Sequence, residues 1–291
     1  YYGPGNDPLK AYGKTTDLTA MGGAQYVHTF DKCFFMPSDL TAGLEYNRDR
    51  LKDNMWGYDR HTDQTVNIYS AFLQNEWKND RWGILIGGRL DKHNMVDNVI
   101  FSPRANLRFN PTQNINLRLS YSSGFRAPQA FDEDMHIENV GGTVAMIERA
   151  KNLKEEKSQS FSASADMYHR FGVFQTNFLI EGFYTRLTDV FVLGEPYDRG
   201  DGILVKTRSN GPGAKVMGLT LEGKVAYLSI LQIQAGLTLQ RSRYDEPHKW
   251  HDDAPAEKKI FRTPDTYGYF TATYTPVSYT HLRAHETRRH L

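Results

Sequence analysis

Residues 101–128, FSPRANLRFNPTQNINLRLSYSSGFRAP, decide how the rest of the chain is read. Phe101, Pro103, Ala105, Leu107 and Phe109 take alternate positions, with Ser102, Arg104, Asn106, Arg108 and Asn110 between them. After the turn NPTQN the pattern returns, with Ile115, Leu117, Leu119 and Tyr121 set against Asn114, Asn116, Arg118, Ser120 and Ser122. Successive side chains on a strand point to opposite faces, so each strand has one apolar face and one face of arginines, amides and hydroxyls. The second face needs water; the first needs a core or a lipid.

The same alternation recurs along the chain. Ile233, Ala235, Leu237 and Leu239 alternate with glutamines and threonine, Phe161, Ala163, Ala165 and Met167 with serines and Asp166, and Met217, Leu219 and Leu221 with Thr220 and Glu222. Such runs predict strands with one buried or lipid-facing side. Strands are expected at residues 17–30, 39–49, 64–78, 82–94, 100–110, 114–125, 157–170, 173–193, 203–227, 231–243 and 265–275. Several exceed the roughly 5 to 6 residues usual in soluble sheets. The connections alternate in kind. Those near residues 32–37, 79–81, 111–113, 171–172 and 228–230 are short; 50–63, 126–156, 194–202 and 244–264 are long and polar, with a shorter one near 95–99. Short turns at one end and long loops at the other are the habit of outer-membrane barrels.

Bulk composition agrees. The 291 residues are 39% hydrophobic and 13% aromatic, with a mean hydropathy of −0.60. Abundant aromatics argue for a folded chain. Thirty-five Lys and Arg against 34 Asp and Glu leave a formal net charge of +1, which gives no basic excess for nucleic acid. No apolar run reaches the roughly 18 residues of a spanning helix, and this leaves a barrel open. The single cysteine, Cys33, excludes an intrachain disulfide and a cysteine-built metal site. The chain opens with YYGPGNDP, without an initiator Met or a signal segment, and reads as beginning inside a larger protein.

The stretches SYSSGFRAP (Ser120 to Pro128), EEKSQSFSASAD (Glu155 to Asp166) and VMGLTLEGKV (Val216 to Val225) carry a resemblance. With them the chain resembles the C-terminal half of the barrel of TonB-dependent outer-membrane receptors, most closely the group common in Bacteroidota, over roughly residues 17–276. The resemblance implies an all-β, transmembrane, antiparallel up-and-down β-barrel, present here in part: about eleven strands of about 22. It also implies a plug, contacted by the TonB complex, that lies outside this chain. The implied function is uptake of a scarce, bulky nutrient, an iron-siderophore, haem, cobalamin or glycan, across the outer membrane of a Gram-negative bacterium. The implied partners are outer-membrane lipid, TonB and a small-molecule or glycan ligand. A passive porin, or a soluble β-sandwich binding module, would share the alternation. Residues 1–276 read as the barrel domain. Residues 277–291, ending SYTHLRAHETRRHL, lack the alternation and resemble translated sequencing-adaptor read-through, a non-native tail that genomic resequencing would expose.

Candidate ligand contacts lie in the loops: Arg126 within GFRAP, then Asp132, Glu133, Asp134 and His136, and Trp250 with His251. The acidic cluster could offer oxygen atoms to a hard cation, but its spacing fits no EF-hand, and a solvated loop is the plainer reading. His248, His251, Asp252 and Asp253 beside Trp250 could touch a metal chelate; a mobile polar loop explains them as well. The inward-facing set comprises Arg89, Arg104, Arg108, Arg118, Asp166, Glu181, Glu222 and Lys224. It could pair across strands and hold the plug, or meet an anionic ligand directly. No catalytic constellation, cofactor or resident metal is expected.

Overall fold

The computed structural model describes residues 13–56, 60–129, 138–140, 143–200, 204–228, 230–248, 255–260 and 263–276. In chain order its strands are β1 (Gly13–Cys33), β2 (Met36–Met55), β3 (Arg60–Lys78), β4 (Trp82–His93), β5 (Ile100–Thr112), β6 (Ile115–Arg126), β7 (Glu138–Val140), β8 (Thr143–Arg149) and β9 (Glu156–Phe171). There follow β10 (Phe174–Thr188), β11 (Phe191–Leu193), β12 (Tyr197–Asp198), β13 (Leu204–Asn210), β14 (Ala214–Tyr227), β15 (Leu231–His248), β16 (Glu257–Lys259) and β17 (Thr266–Tyr274).

Among the described residues eleven strands, β1 to β6, β9, β10, β14, β15 and β17, form one up-and-down antiparallel wall, each paired with the next. The short β16 extends the top of β15. The wall matches the expected strand count, but several strands run longer than the sequence suggested. The supposed loop 50–63 is mostly strand: β2 and β3 stay paired up to Met55 and Arg60. The expected strand 173–193 ends at Thr188, where Asp189 takes a φ of 55°. The expected strand 203–227 is two strands in different sheets, separated at Gly211-Pro212-Gly213.

Register carries one face unbroken across the wall. Ile84 lies opposite Leu107, Leu107 opposite Leu119, Leu119 opposite Ala163, Ala163 opposite Gly182, Gly182 opposite Leu219 and Leu219 opposite Leu239. Large apolar side chains on this face are open: Ile86 56%, Phe101 60%, Leu119 55%, Phe161 48% and Phe270 70% exposed. An apolar surface of this extent is unstable in water and suits a hydrocarbon layer.

Aromatic side chains mark its borders. At the short-turn end Trp82 stacks on Phe109 with ring centroids 4.2 Å apart, Phe174 meets Tyr227 at 5.1 Å, and Phe35 stacks on Trp77 at 5.7 Å. At the other border Tyr121 meets Phe161 at 4.7 Å, one strand from Tyr184. The ten steps from Phe174 to Tyr184 along β10 cover about 33 Å at ~3.3 Å per residue. At a tilt near 40° that is a band about 25 Å tall, the height of a barrel's lipid belt.

The opposite face is polar. On it aromatic rings cover glycines of the adjacent strand: Phe72 over Gly43, Phe183 over Gly218 and Tyr269 over Gly236. A Cβ on Gly218 would lie 2.6 Å from both Phe183 Cζ and the Leu239 carbonyl oxygen, so this close approach requires glycine. Such pairs fix the register. Among the described residues the wall is open: β1 and β17 are its two edges, and every residue of β17 is exposed. The non-native tail expected at residues 277–291 lies outside the described residues.

Candidate functional site

The long connections fold together at the end opposite the short turns. β7, β8, β11, β12 and β13 make a second sheet in the order β11-β13-β8-β7, with β12 on β13. β8 comes from the connection after β6 and β13 from the one after β10, and the two pair in parallel from Ala145 opposite Leu204 to Arg149 opposite Arg208. Beneath them Met146 and Val205 are buried at 2% and 0% exposure. Asn210 joins the two loops, because its amide nitrogen donates to the carbonyls of Lys154 (3.1 Å) and Asp189 (2.8 Å) while its oxygen accepts from the Lys154 N–H (2.8 Å).

GFRAP is the point where this loop sheet meets the wall. Arg126 sets its guanidinium over the Phe191 ring at 5.6 Å, and Glu156, paired with Arg126, accepts from the Phe191 N–H at 2.9 Å. Ala127 and Pro128 are buried, and the Pro128 carbonyl accepts from Arg149 at 3.0 Å. Arg149 also donates to Gln64 of β3 at 2.9 Å. Gln129 reaches His93 at the end of β4. Gln64 and His93 both point inward, and beside them the inward-facing Leu51 and Val66 are buried. The loop sheet therefore rests against the inner side of the wall, at its mouth.

His93 is fully buried. Its Nδ1 accepts from the Met95 N–H at 3.0 Å, so in the neutral ring Nε2 carries the proton and donates to Gln129 Oε1 at 3.3 Å. Burial holds the imidazole below its ordinary value of 6.5, against the opposing effect of Gln129. Below that pH the unfolded form binds more protons than the folded one, so this contact weakens as the pH falls through about 6.5. Limited proteolysis of the protein within residues 127–155 is expected to speed up several-fold between about pH 7.5 and about pH 5. The His93→Gln variant is expected to flatten that dependence.

The eight wall charges lie on the polar face of the wall and fall into two groups. Arg89 is bound on three sides: to Asp91 at 2.8 Å, Glu45 at 3.2 Å and Ser70 at 2.8 Å. Arg108 donates to the Asn79 carbonyl at the short turn (3.1 Å), Arg118 to Asn116 (2.7 Å), and Asp166 accepts from Tyr168 (2.8 Å) and from Asn177. Arg104, Glu181, Glu222 and Lys224 make no side-chain hydrogen bond or ion pair with another described residue. Among the expected loop contacts only Arg126 falls within the described residues. Asp132, Glu133, Asp134, His136, Trp250 and His251 lie outside them. His93, Gln129, Arg149 and Asn210 went unremarked in the sequence; only the Asn-Gly-Pro-Gly break after β13 hinted at a separate loop element.

The model of the TonB dependent receptor-like β-barrel family matches residues 1–286. No curated protein matches the chain in sequence. Among solved structures, the siderophore receptor PirA of Pseudomonas aeruginosa is similar with a TM-score of 0.65 at 17% identity, over 80% of this chain and 44% of that one. A mutant of the ferric enterobactin receptor PfeA of Pseudomonas aeruginosa, in complex with enterobactin, gives 0.61 at 17% identity, over 91% and 48%. The copper transporter OprC gives 0.64 at 15%, over 91% and 42%. This chain thus spans less than half the length of each. With an open wall of eleven strands, a lipid-suited outer face and a loop sheet in its mouth, the chain belongs to the TonB-dependent receptor β-barrel family.

Proposed function

We propose that this chain forms the C-terminal wall and extracellular loops of an outer-membrane receptor that takes up a scarce, bulky nutrient with energy delivered through TonB. One observation supports this most: the loop sheet, joined across two connections by β8 and β13, leans into the mouth of a polar-walled lumen. A ligand arriving from outside would meet Arg126 and the loops carrying Asp132 to His136 and Trp250 to His251. The unpaired Arg104, Glu181, Glu222 and Lys224 would face a plug supplied by the rest of the receptor. The similar structures are receptors for siderophores and a copper transporter, which makes a metal complex the first ligand class to try, ahead of haem, cobalamin or a glycan.

The test is uptake by cells expressing the intact receptor, with radiolabelled ferric siderophores and copper as probes. Uptake of one probe is expected, with loss on deleting TonB or collapsing the proton gradient. Uptake that persists without either would contradict energy coupling and leave a passive channel.

A further inference from the structure

Asn210-Gly211 is the only Asn-Gly pair in the sequence, and it stands where the loop sheet is tied together. Asn210 closes β13 and leads into Gly211-Pro212-Gly213, the break before β14. An Asn-Gly pair is prone to modify itself, because glycine has no Cβ to keep its backbone nitrogen away from the asparagine side chain. In that reaction the Gly211 nitrogen attacks the side-chain carbonyl carbon of Asn210. The new N–C bond closes a five-membered succinimide, the bond from that carbon to the side-chain nitrogen breaks, and this nitrogen leaves as ammonia with the proton of the Gly211 N–H. Water then opens the ring, at one carbonyl to give aspartate and at the other to give isoaspartate.

In the docked loop sheet the reacting groups are held on separate partners. The nitrogen that would leave donates to the carbonyls of Lys154 (3.1 Å) and Asp189 (2.8 Å), and the Asn210 oxygen accepts from the Lys154 N–H (2.8 Å). Only this orientation of the amide satisfies all three contacts. The nitrogen that would attack donates its proton to the Val190 carbonyl at 2.7 Å, while Asn210 stays paired with Phe191 across β11 and β13. Attack needs both sets of contacts released. Releasing them is the same event as parting the two connections, since Lys154 lies after β8 and Asp189 after β10.

The product cannot restore the junction. A carboxylate has no hydrogen to donate, so the carbonyls of Lys154 and Asp189 lose their donor and face a negative charge, and only the Lys154 N–H keeps a partner. Isoaspartate also adds a carbon to the main chain, which moves the Gly211 N–H out of register with Val190. We propose that Asn210 is a self-modification site gated by the loop sheet. Docking shields it, opening exposes it, and deamidation then leaves the loop sheet released for good. This concerns the loop junction alone and depends neither on the membrane placement nor on the nutrient.

The test follows deamidation at residue 210 by peptide mass spectrometry in mildly alkaline buffer, for the protein folded in detergent and for a synthetic peptide of residues 204–216. Two variants accompany wild type. Arg149→Met removes the hydrogen bonds to Gln64 and to the Pro128 carbonyl without touching Asn210, and Asn210→Asp stands for the product. Strand content is matched by circular dichroism first; if Arg149→Met fails this check, urea below the wild-type unfolding transition is used to open the loop sheet instead. Wild type is expected to deamidate about tenfold or more slowly than the peptide, and the opened loop sheet several-fold faster than wild type. Asn210→Asp is expected to be cleaved within residues 143–155 several-fold faster than wild type in limited proteolysis. Wild type reacting as fast as the peptide would overturn the shielding, and no acceleration on opening would overturn the gating. An Asn210→Asp variant as resistant to protease as wild type would overturn the permanent release.

Discussion

Replacing Arg89 with leucine in the intact receptor is expected to cost about 2–3 kcal/mol of stability, read as a lowered urea midpoint in detergent or liposomes. Arg89 binds Asp91, Glu45 and Ser70 at once, linking β2, β3 and β4 across the inner wall. Asp91 is only 2% exposed and Ser70 5%. Without the guanidinium the Asp91 carboxylate keeps the Ser70 hydroxyl at 2.6 Å and is otherwise stranded away from water. Removing one partner of a buried pair costs about 3–5 kcal/mol when both are sealed. The guanidinium here is 36% exposed, so the lower figure applies. Glu45 is less affected, because Asn47 still donates to it at 2.6 Å. Adding Asp91→Asn to Arg89→Leu is expected to recover about half of the loss, since the stranded group is then neutral. A double variant no better than Arg89→Leu alone would show that Asp91 is not the seat of the cost.

The second large effect is on the outer face. Leu117 lies opposite Phe109 and Ala165, near the middle of the band between Phe161 and Phe171. Arginine there would put a cation at the lipid midplane, at a cost of about 2–4 kcal/mol. The next residue, Arg118, already is an arginine, but it faces inward and is bonded to Asn116. Arg118→Leu is expected to change stability by less than about 1 kcal/mol, the range of exposed polar contacts. A large difference between adjacent positions is the signature of a wall with lipid on one side and water on the other. Similar costs at both would mean that the apolar face packs against protein.

The wall was legible in the sequence because its two sides meet different solvents. Phe101, Leu107, Leu119, Ala163 and Leu239 must alternate with polar residues wherever lipid and lumen lie on opposite sides, and period two follows. Above the belt the outer face meets water and the inner face packs against the polar loop segment, so the pattern fades while backbone pairing continues. That is why the stretch around Lys52 and Asp63 read as a loop although the two side chains join across paired strands at 3.1 Å. Polarity reports the solvent, and hydrogen bonding does not depend on it.

The candidate site was less legible for a different reason. β8 and β13 pair in parallel although they come from separate connections. Nothing local to TVAMIER (143–149) or LVKTRSN (204–210) names the partner. GFRAP was recognised from its residues, and Arg126 was singled out as a ligand contact. In the structure Pro128 and the following Gln129 hold the loop segment onto Arg149 and His93. That the eight wall charges share the polar face followed from alternation alone. Their division into bonded and unpaired groups depends on neighbours two strands away, as Glu45 is from Arg89.

Cysteine scanning along β9 tests the central claim most directly. With Cys33 replaced by serine, single cysteines are placed in the intact receptor at each position from Ser158 to Met167, in native outer membranes. Each is reacted with a water-soluble maleimide and, separately, with a lipid-soluble one. Ser158, Gln159, Ser160, Ser162, Ser164 and Asp166 are expected to react with the first reagent, and Phe161, Ala163, Ala165 and Met167 with the second, alternating without a break from Ser160 to Met167. Uniform labelling by the water-soluble reagent, or protection of the apolar positions from both, would contradict a transmembrane wall and place this face against protein.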